Sequence, residues 1–191
     1  MKVSLKNIAS IQMGYSFRSR LESSDTGTVA VIQMKDLTDR NRVDSSDPVF
    51  VDMKLPAGHH LLKEGDLIFR SRGLLSRSAI IVEDPGTAVV SAPLLRIRIT
   101  SPDVLPEYLN WFISQPPAQA FFTSRADGTA QRIINKDTLE NLEVFVPSLE
   151  KQKKIVALAS LIVREQEIME KLAAKRRQYV SAILMRLAQG E

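Results

Sequence analysis

Residues 148–189 read SLEKQKKIVALASLIVREQEIMEKLAAKRRQYVSAILMRLAQ, a run with no glycine and no proline. Ile155, Ile162, Met169 and Ile183 recur at multiples of seven. A second row, Ala159, Ala173, Val180 and Leu187, lies four residues behind, and Leu158, Leu172 and Tyr179 flank it. This is an apolar stripe at helical spacing, sustained over about four to five heptads. At ~1.5 Å of rise per residue the helix is about 60 Å long, more than a globular core of this size covers. The spacing therefore predicts a helix over 149–188 whose exposed half meets another helix. Ile155, Leu158, Ile162, Gln166, Met169, Leu172, Ala173, Tyr179 and Ile183 are the candidate contacts. Arg176 falls on the same stripe, as a register-selecting residue or a docking residue. The pattern also fits a long amphipathic helix packed on its own domain.

Ahead of that run lies enough chain for one globular domain, giving 1–147 as the domain and 148–191 as the helix. Hydrophobic residues make up 44% and charged residues 25% of the 191, an ordinary globular balance. The net charge of +4 is unevenly spread. Residues 1–150 carry 17 Lys/Arg against 18 Asp/Glu, whereas 151–191 carry 9 against 4. The globular part is not a generally basic body, so any nucleic-acid contact requires cations gathered on one face. No apolar run approaches a membrane span, Met1–Asn7 lacks a secretory core, and cysteine is absent. These features favour a cytoplasmic protein with no membrane partner.

Within the domain, Leu5, Ile8, Ala9 and Ile11 suggest a helical turn closed by Gly14. An aromatic and basic loop follows, with Tyr15, Ser16, Phe17, Arg18 and Arg20. Arginine binds phosphate or guanine edges, and tyrosine can stack or hydrogen-bond. The same loop also reads as solvated, with Phe17 in the core. Val29–Met34 reads as a buried strand, followed by a polar loop carrying Lys35, and Pro48–Val51 as a short one. His59 and His60 are adjacent with no third ligand in spacing, so no metal or other cofactor is expected.

The run Gly65-Asp-Leu-Ile-Phe-Arg-Ser-Arg-Gly73 is a turn, a strand and a delivery of Arg70, Ser71 and Arg72 to a glycine-ended loop, with Arg77 close behind. A charged strand edge that discourages strand addition has the same composition. Ala79–Val82, Ala88–Ser91 and Leu94–Thr100 are further strands, with Asp84-Pro-Gly turning between the first two. A helix then buries Leu105, Leu109, Phe112 and Ile113. A second short one carries Ala118, Phe121 and Phe122. Thr123–Arg132 is a second polar, basic segment, in which Gln131 suits adenine and Arg125 or Arg132 suits guanine or phosphate. Asn135 caps a short helix over 136–141, and Leu142–Val146 is a last strand ended by Pro147.

No phosphate loop, dinucleotide fingerprint, zinc-protease or serine-hydrolase motif occurs, nor an Asn-Pro-Pro-Tyr or Asp-Pro-Pro-Tyr methyltransferase signature. Loops rich in arginine and glutamine beside an assembly helix suit recognition better than catalysis. The expected class is α+β, a mixed β-rich recognition domain followed by a long C-terminal coiled-coil helix.

Four segments together resemble the DNA-specificity (S) subunits of type I restriction–modification enzymes. They are Leu5–Phe17, Gly65–Gly73, Gly128–Leu142 and Leu142–Ile155. The family usually has a second proline and a Glu-Gln pair at the helix entry. Here Ser148 stands for the proline and Lys151 precedes Gln152. The resemblance implies a target-recognition domain that reads half of a bipartite double-stranded DNA site and has no catalysis of its own. It also implies helices that pair antiparallel as a ruler and dock adenine methyltransferase subunits, with restriction subunits as further partners. One domain and one helix make this chain similar to a half-subunit, for which a homodimer supplies the second half. An interaction protein that sequesters methyltransferase or S subunits without reading DNA, and an enzyme on an unrecognised fold, are the competing readings.

Overall fold

The computed structural model describes residues 1–17, 21–44, 46–54, 56–73, 76–125 and 133–190. They form two compact units, Met1–Lys153 and Lys154–Glu191. The first unit carries nine strands among its described residues. β1 (Lys2–Ser4) pairs antiparallel with β9 (Glu143–Phe145), so the unit's first and last strands lie side by side. β2 (Ala9–Met13), β8 (Leu95–Ile99), β5 (Leu67–Phe69) and β6 (Ser78–Ile80) form a four-stranded antiparallel sheet in that spatial order. β4 (Val49–Val51), β3 (Val29–Ile32) and β7 (Ala88–Val90) form a second sheet, with β3 and β7 parallel.

Leu67, Ile68 and Phe69 of β5 are fully buried. A continuous apolar triplet suits a strand covered on both faces, where alternation has no solvent side to serve. One cluster joins the two sheets: Ala30, Ile32, Ala88 and Val90 meet Ile68, Ile81, Leu62 and Leu94. On the other side of β3, Val29, Val31, Val51 and Val89 are covered by Tyr15, Phe17 and Leu21.

The helical turn expected over Leu5–Ile11 is a correction. Only Leu5–Asn7 turns, as a 3-10 segment, and Ala9–Met13 is β2. Ala9 and Ile11 point inward while Ser10 faces out, which is a period of two. The expected turn Asp84-Pro-Gly is present as an Asx turn, with the Gly86 N–H on Asp84 Oδ1 at 3.0 Å and Gly86 at φ +64°. It carries the chain from one sheet to the other, because β6 and β7 are not paired.

Helix α1 (Pro106–Ile113) buries Tyr108, Leu109, Phe112 and Ile113. Helix α2 (Pro116–Arg125) starts on its prolines, which suit a first turn whose N–H groups lack helical partners anyway. Asn135 caps α3 (Lys136–Glu140) by accepting from the Thr138 N–H at 2.7 Å.

Helix α4 (Leu149–Gln189) has 41 residues. Its first turn is held in the first unit by Gln152, which is fully buried. Gln152 Nε2 donates to the Asp103 and Pro147 carbonyls at 2.7 and 2.8 Å, and Oε1 accepts from the Leu105 N–H at 2.9 Å. Along the second unit Leu158, Ile162, Met169, Leu172, Tyr179 and Ile183 are exposed in the single chain.

Candidate nucleic-acid interface

The loop Ser91–Leu94 joins residues 14–15 on one side to Ser71 on the other. Gly14 N–H donates to the Leu94 carbonyl at 2.8 Å, Tyr15 N–H to Val90 at 2.7 Å, and Ala92 N–H returns to Tyr15 at 2.9 Å. A Cβ on Gly14 would lie 2.6 Å from the Ser91 carbonyl carbon, so the approach requires glycine. From the other side, Ser71 Oγ donates to the Pro93 carbonyl at 2.5 Å. The Ser71 carbonyl accepts from Ile134 N–H at 2.8 Å, and Arg72 bridges Ile133 antiparallel. Gln119 Nε2 on α2 donates to the Ser76 carbonyl at 2.7 Å. Backbone and side-chain bonds therefore link residues 14–15 and Ser71 through Ser91–Leu94, residues 133–134 to Ser71 and Arg72, and Gln119 to Ser76. Ser91 N–H also bonds the Ile32 carbonyl at 2.9 Å, just ahead of the 3-10 turn Met34–Asp36 that carries Lys35.

Individual side chains divide by role. Arg72 and Arg125 are exposed, and Arg125 lies over the Phe121 ring at 4.2 Å. Arg70 reaches the Met34 carbonyl at 3.4 Å, Arg77 meets Asp39 at 3.4 Å, and Lys35 meets Asp36 at 3.7 Å. Contacts this long at a surface hold little energy, so these cations can be recruited by a phosphate or a base edge. Ser16 is exposed. Tyr15 packs against Phe17 and His60 with ring centroids at 5.0 and 5.5 Å, and Ser71 is buried with its hydroxyl engaged. Both reinforce the loops that hold the arginines. Arg18, Arg20, Gln131 and Arg132 lie outside the described residues.

The first unit also holds a polar core that the sequence reading did not assign. Arg96 is buried, and its Nη2 donates to Gln12 Oε1 at 2.9 Å. Gln12 Nε2 lies 3.2 Å from His60 Nδ1. Burial, then the charges of His59 and Arg96, hold the His60 imidazole below its ordinary pKa, which fits a neutral ring accepting from Gln12. Arg98 forks onto Asp66, Nε to Oδ1 at 2.7 Å and Nη2 to Oδ2 at 2.6 Å, and Asp66 is itself buried. The signal was available in the alternation of Leu95, Arg96, Ile97, Arg98 and Ile99. On a strand covered on both sides, the charged row must find partners inside.

Among the described residues no helix is long and apolar enough to cross a membrane. No curated protein matches the chain. Solved structures do. The HsdS subunit from Thermoanaerobacter tengcongensis superposes with a TM-score of 0.60 at 17% identity, over 90% of this chain and 39% of that one. A chain from a structure concerned with complex assembly and conformational transition of the type I R-M system gives a TM-score of 0.70 at 17% identity, over 92% of this chain and 41% of that one. The type I restriction-modification S subunit from M. genitalium gives 0.58 at 13%, over 93% and 42%. The chain thus spans about two fifths of the length of each, and at these identities the likeness is one of fold. Type I restriction modification DNA specificity domains, as a family, match residues 1–175. With the match running through the β-rich unit and most of α4, the chain belongs to that family of DNA specificity domains.

Proposed function

We propose that residues 1–147 read one half of a bipartite duplex DNA site and direct adenine methyltransferase subunits to it. On this reading α4 holds a second recognition unit at a fixed distance, and the chain performs no catalysis itself. The observation that carries it is that Ser91–Leu94 holds residues 14–15 and Ser71, while Ser71 and Arg72 in turn hold residues 133–134. Together with family membership, it supports one cationic face on a domain that is not basic as a whole. Arg70 and Arg72 leave the buried end of β5 and are the readers we assign to base edges. Arg77, Lys35 and Arg125 are assigned to phosphates, and Arg18, Arg20, Gln131 and Arg132 remain further DNA contacts on the strength of the sequence alone. Phosphate contacts position the domain, and forked base contacts specify the sequence.

The test is co-expression with the cognate methyltransferase and mapping of methylated adenines. Arg72→Ala should relax or weaken methylation at one position of the half-site, by about 1–3 kcal/mol of discrimination if the contact is bidentate. The fold should be kept, since Arg72 is exposed. Arg70→Ala should behave alike. Unchanged target and rate in both variants would remove them from the readout. Helix-mediated capture of methyltransferase with no sequence preference on duplex DNA would instead favour a sequestering regulator.

A further inference from the structure

Two adjacent rows on the exposed part of α4 each run in alternating steps of three and four. The row from Leu158 to Ala182 is apolar at every position except Glu165 and Lys175. The row from Ile155 to Leu187 is apolar at every position except Gln166 and Arg176. Each interrupting pair is symmetric about almost the same point: Glu165 and Lys175 about Glu170, and Gln166 and Arg176 about Lys171. All four side chains are exposed in the single chain.

That placement has a geometric meaning. If a second copy runs antiparallel with its midpoint at Glu170, every position of the Leu158–Ala182 row faces a position of the same row. Leu161 faces Tyr179 of the second copy, and Ile168 faces Leu172. Glu165 faces Lys175 twice, once on each side of the midpoint. A parallel, in-register pair stacks Glu165 on Glu165 and Arg176 on Arg176. An antiparallel pair slipped by one heptad sets Glu165 against Ala182 and Lys175 against Leu172, which strands charges on apolar partners. The wider charge pattern agrees. Glu165, Glu167 and Glu170 precede Lys171, Lys175, Arg176 and Arg177, so reversal brings the acidic half of one helix to the basic half of the other.

We infer that the antiparallel pair of α4 helices from two copies of this chain is centred at Glu170, with its register fixed by two symmetry-related Glu165–Lys175 pairs. This rests on the antiparallel pairing that the family resemblance implies and adds the register and the residues that set it. It also makes the seam self-complementary.

The test uses the full chain, with mass followed by light scattering and dissociation by analytical ultracentrifugation. Glu165→Lys alone and Lys175→Glu alone should each weaken dimerisation by the order of tenfold or more, since two attractive pairs become repulsive in each. Helical content by circular dichroism should be unchanged. The double variant Glu165→Lys/Lys175→Glu should recover the wild-type dimer. A one-to-one mixture of the two single variants should form a heterodimer as tight as wild type. A dimeric wild type whose single variants dimerise equally well, or whose double variant is no better than the singles, overturns the register and leaves the pairing reading standing. A wild type that stays monomeric at tens of micromolar overturns the pairing itself.

Discussion

Gln12 can face Arg96 with its carbonyl and His60 with its amide only while His60 is neutral at Nδ1. Burial and two neighbouring cationic groups lower the folded pKa of His60 below 6.5. A lowered pKa means the unfolded chain binds the proton more readily. The stability tied to the neutral ring is therefore present above the ordinary histidine value and is lost as pH falls through the folded one. The wild-type protein should lose more stability between neutral pH and about pH 5 than His60→Gln, measured by melting across that range. Parallel losses in the two proteins would deny His60 this role. Little of this was legible beforehand. His59 and His60 stood out only as a poor metal pair, and the strand that faces His60 lies 36 residues further along at Arg96. Gly65–Gly73 was readable because turn, strand and cation delivery are consecutive in the chain. The Gln12–Arg96–His60 contact was not, because nothing local couples three distant positions.

At the scale of elements, the first turn of α4 depends on one amide. Gln152 supplies an acceptor to the start of α1 and two donors to carbonyls on either side of it. Gln152→Ala leaves the half-buried Leu105 N–H without its acceptor and should cost about 1–3 kcal/mol by urea denaturation. Gln152→Glu should cost more, because a carboxylate faces two carbonyls where an amide donated. If both variants unfold with the wild-type midpoint, the anchoring account fails. The long helix itself was the most legible element, predicted over 149–188 and observed over Leu149–Gln189, since an uninterrupted helical period leaves few alternatives. The strand β2 was missed because Leu5, Ile8, Ala9 and Ile11 satisfy a helical period as well as an alternating one. The choice between them is made by pairing with β8, which sits some 85 residues away.

At the scale of the whole molecule, symmetry constrains the target. Two identical recognition units related by a two-fold axis read identical half-sites in opposite orientation. If the chain acts as a homodimer with methyltransferase, the methylated sites should form an interrupted palindrome. Sequencing of methylated host DNA checks this, and a consistently asymmetric motif would require a second, different half. Composition had already limited the options: a domain with 17 Lys/Arg against 18 Asp/Glu in its first 150 residues cannot bind DNA over its whole surface. The segments carrying Tyr15 and Arg72 were legible one by one. Their joining was not, because it passes through Ser91–Leu94, a connector with no charge to draw notice.

The pairing of β1 with β9 places residues 2–4 beside residues 143–145. The chain between those two strands therefore begins and ends at neighbouring points. A foreign segment spliced in between them would have to restore the backbone groups of Asp103 and Leu105 that Gln152 grips, and the Tyr108 hydroxyl that donates to the Phe145 carbonyl, or the seat of α4 would be lost with the exchange.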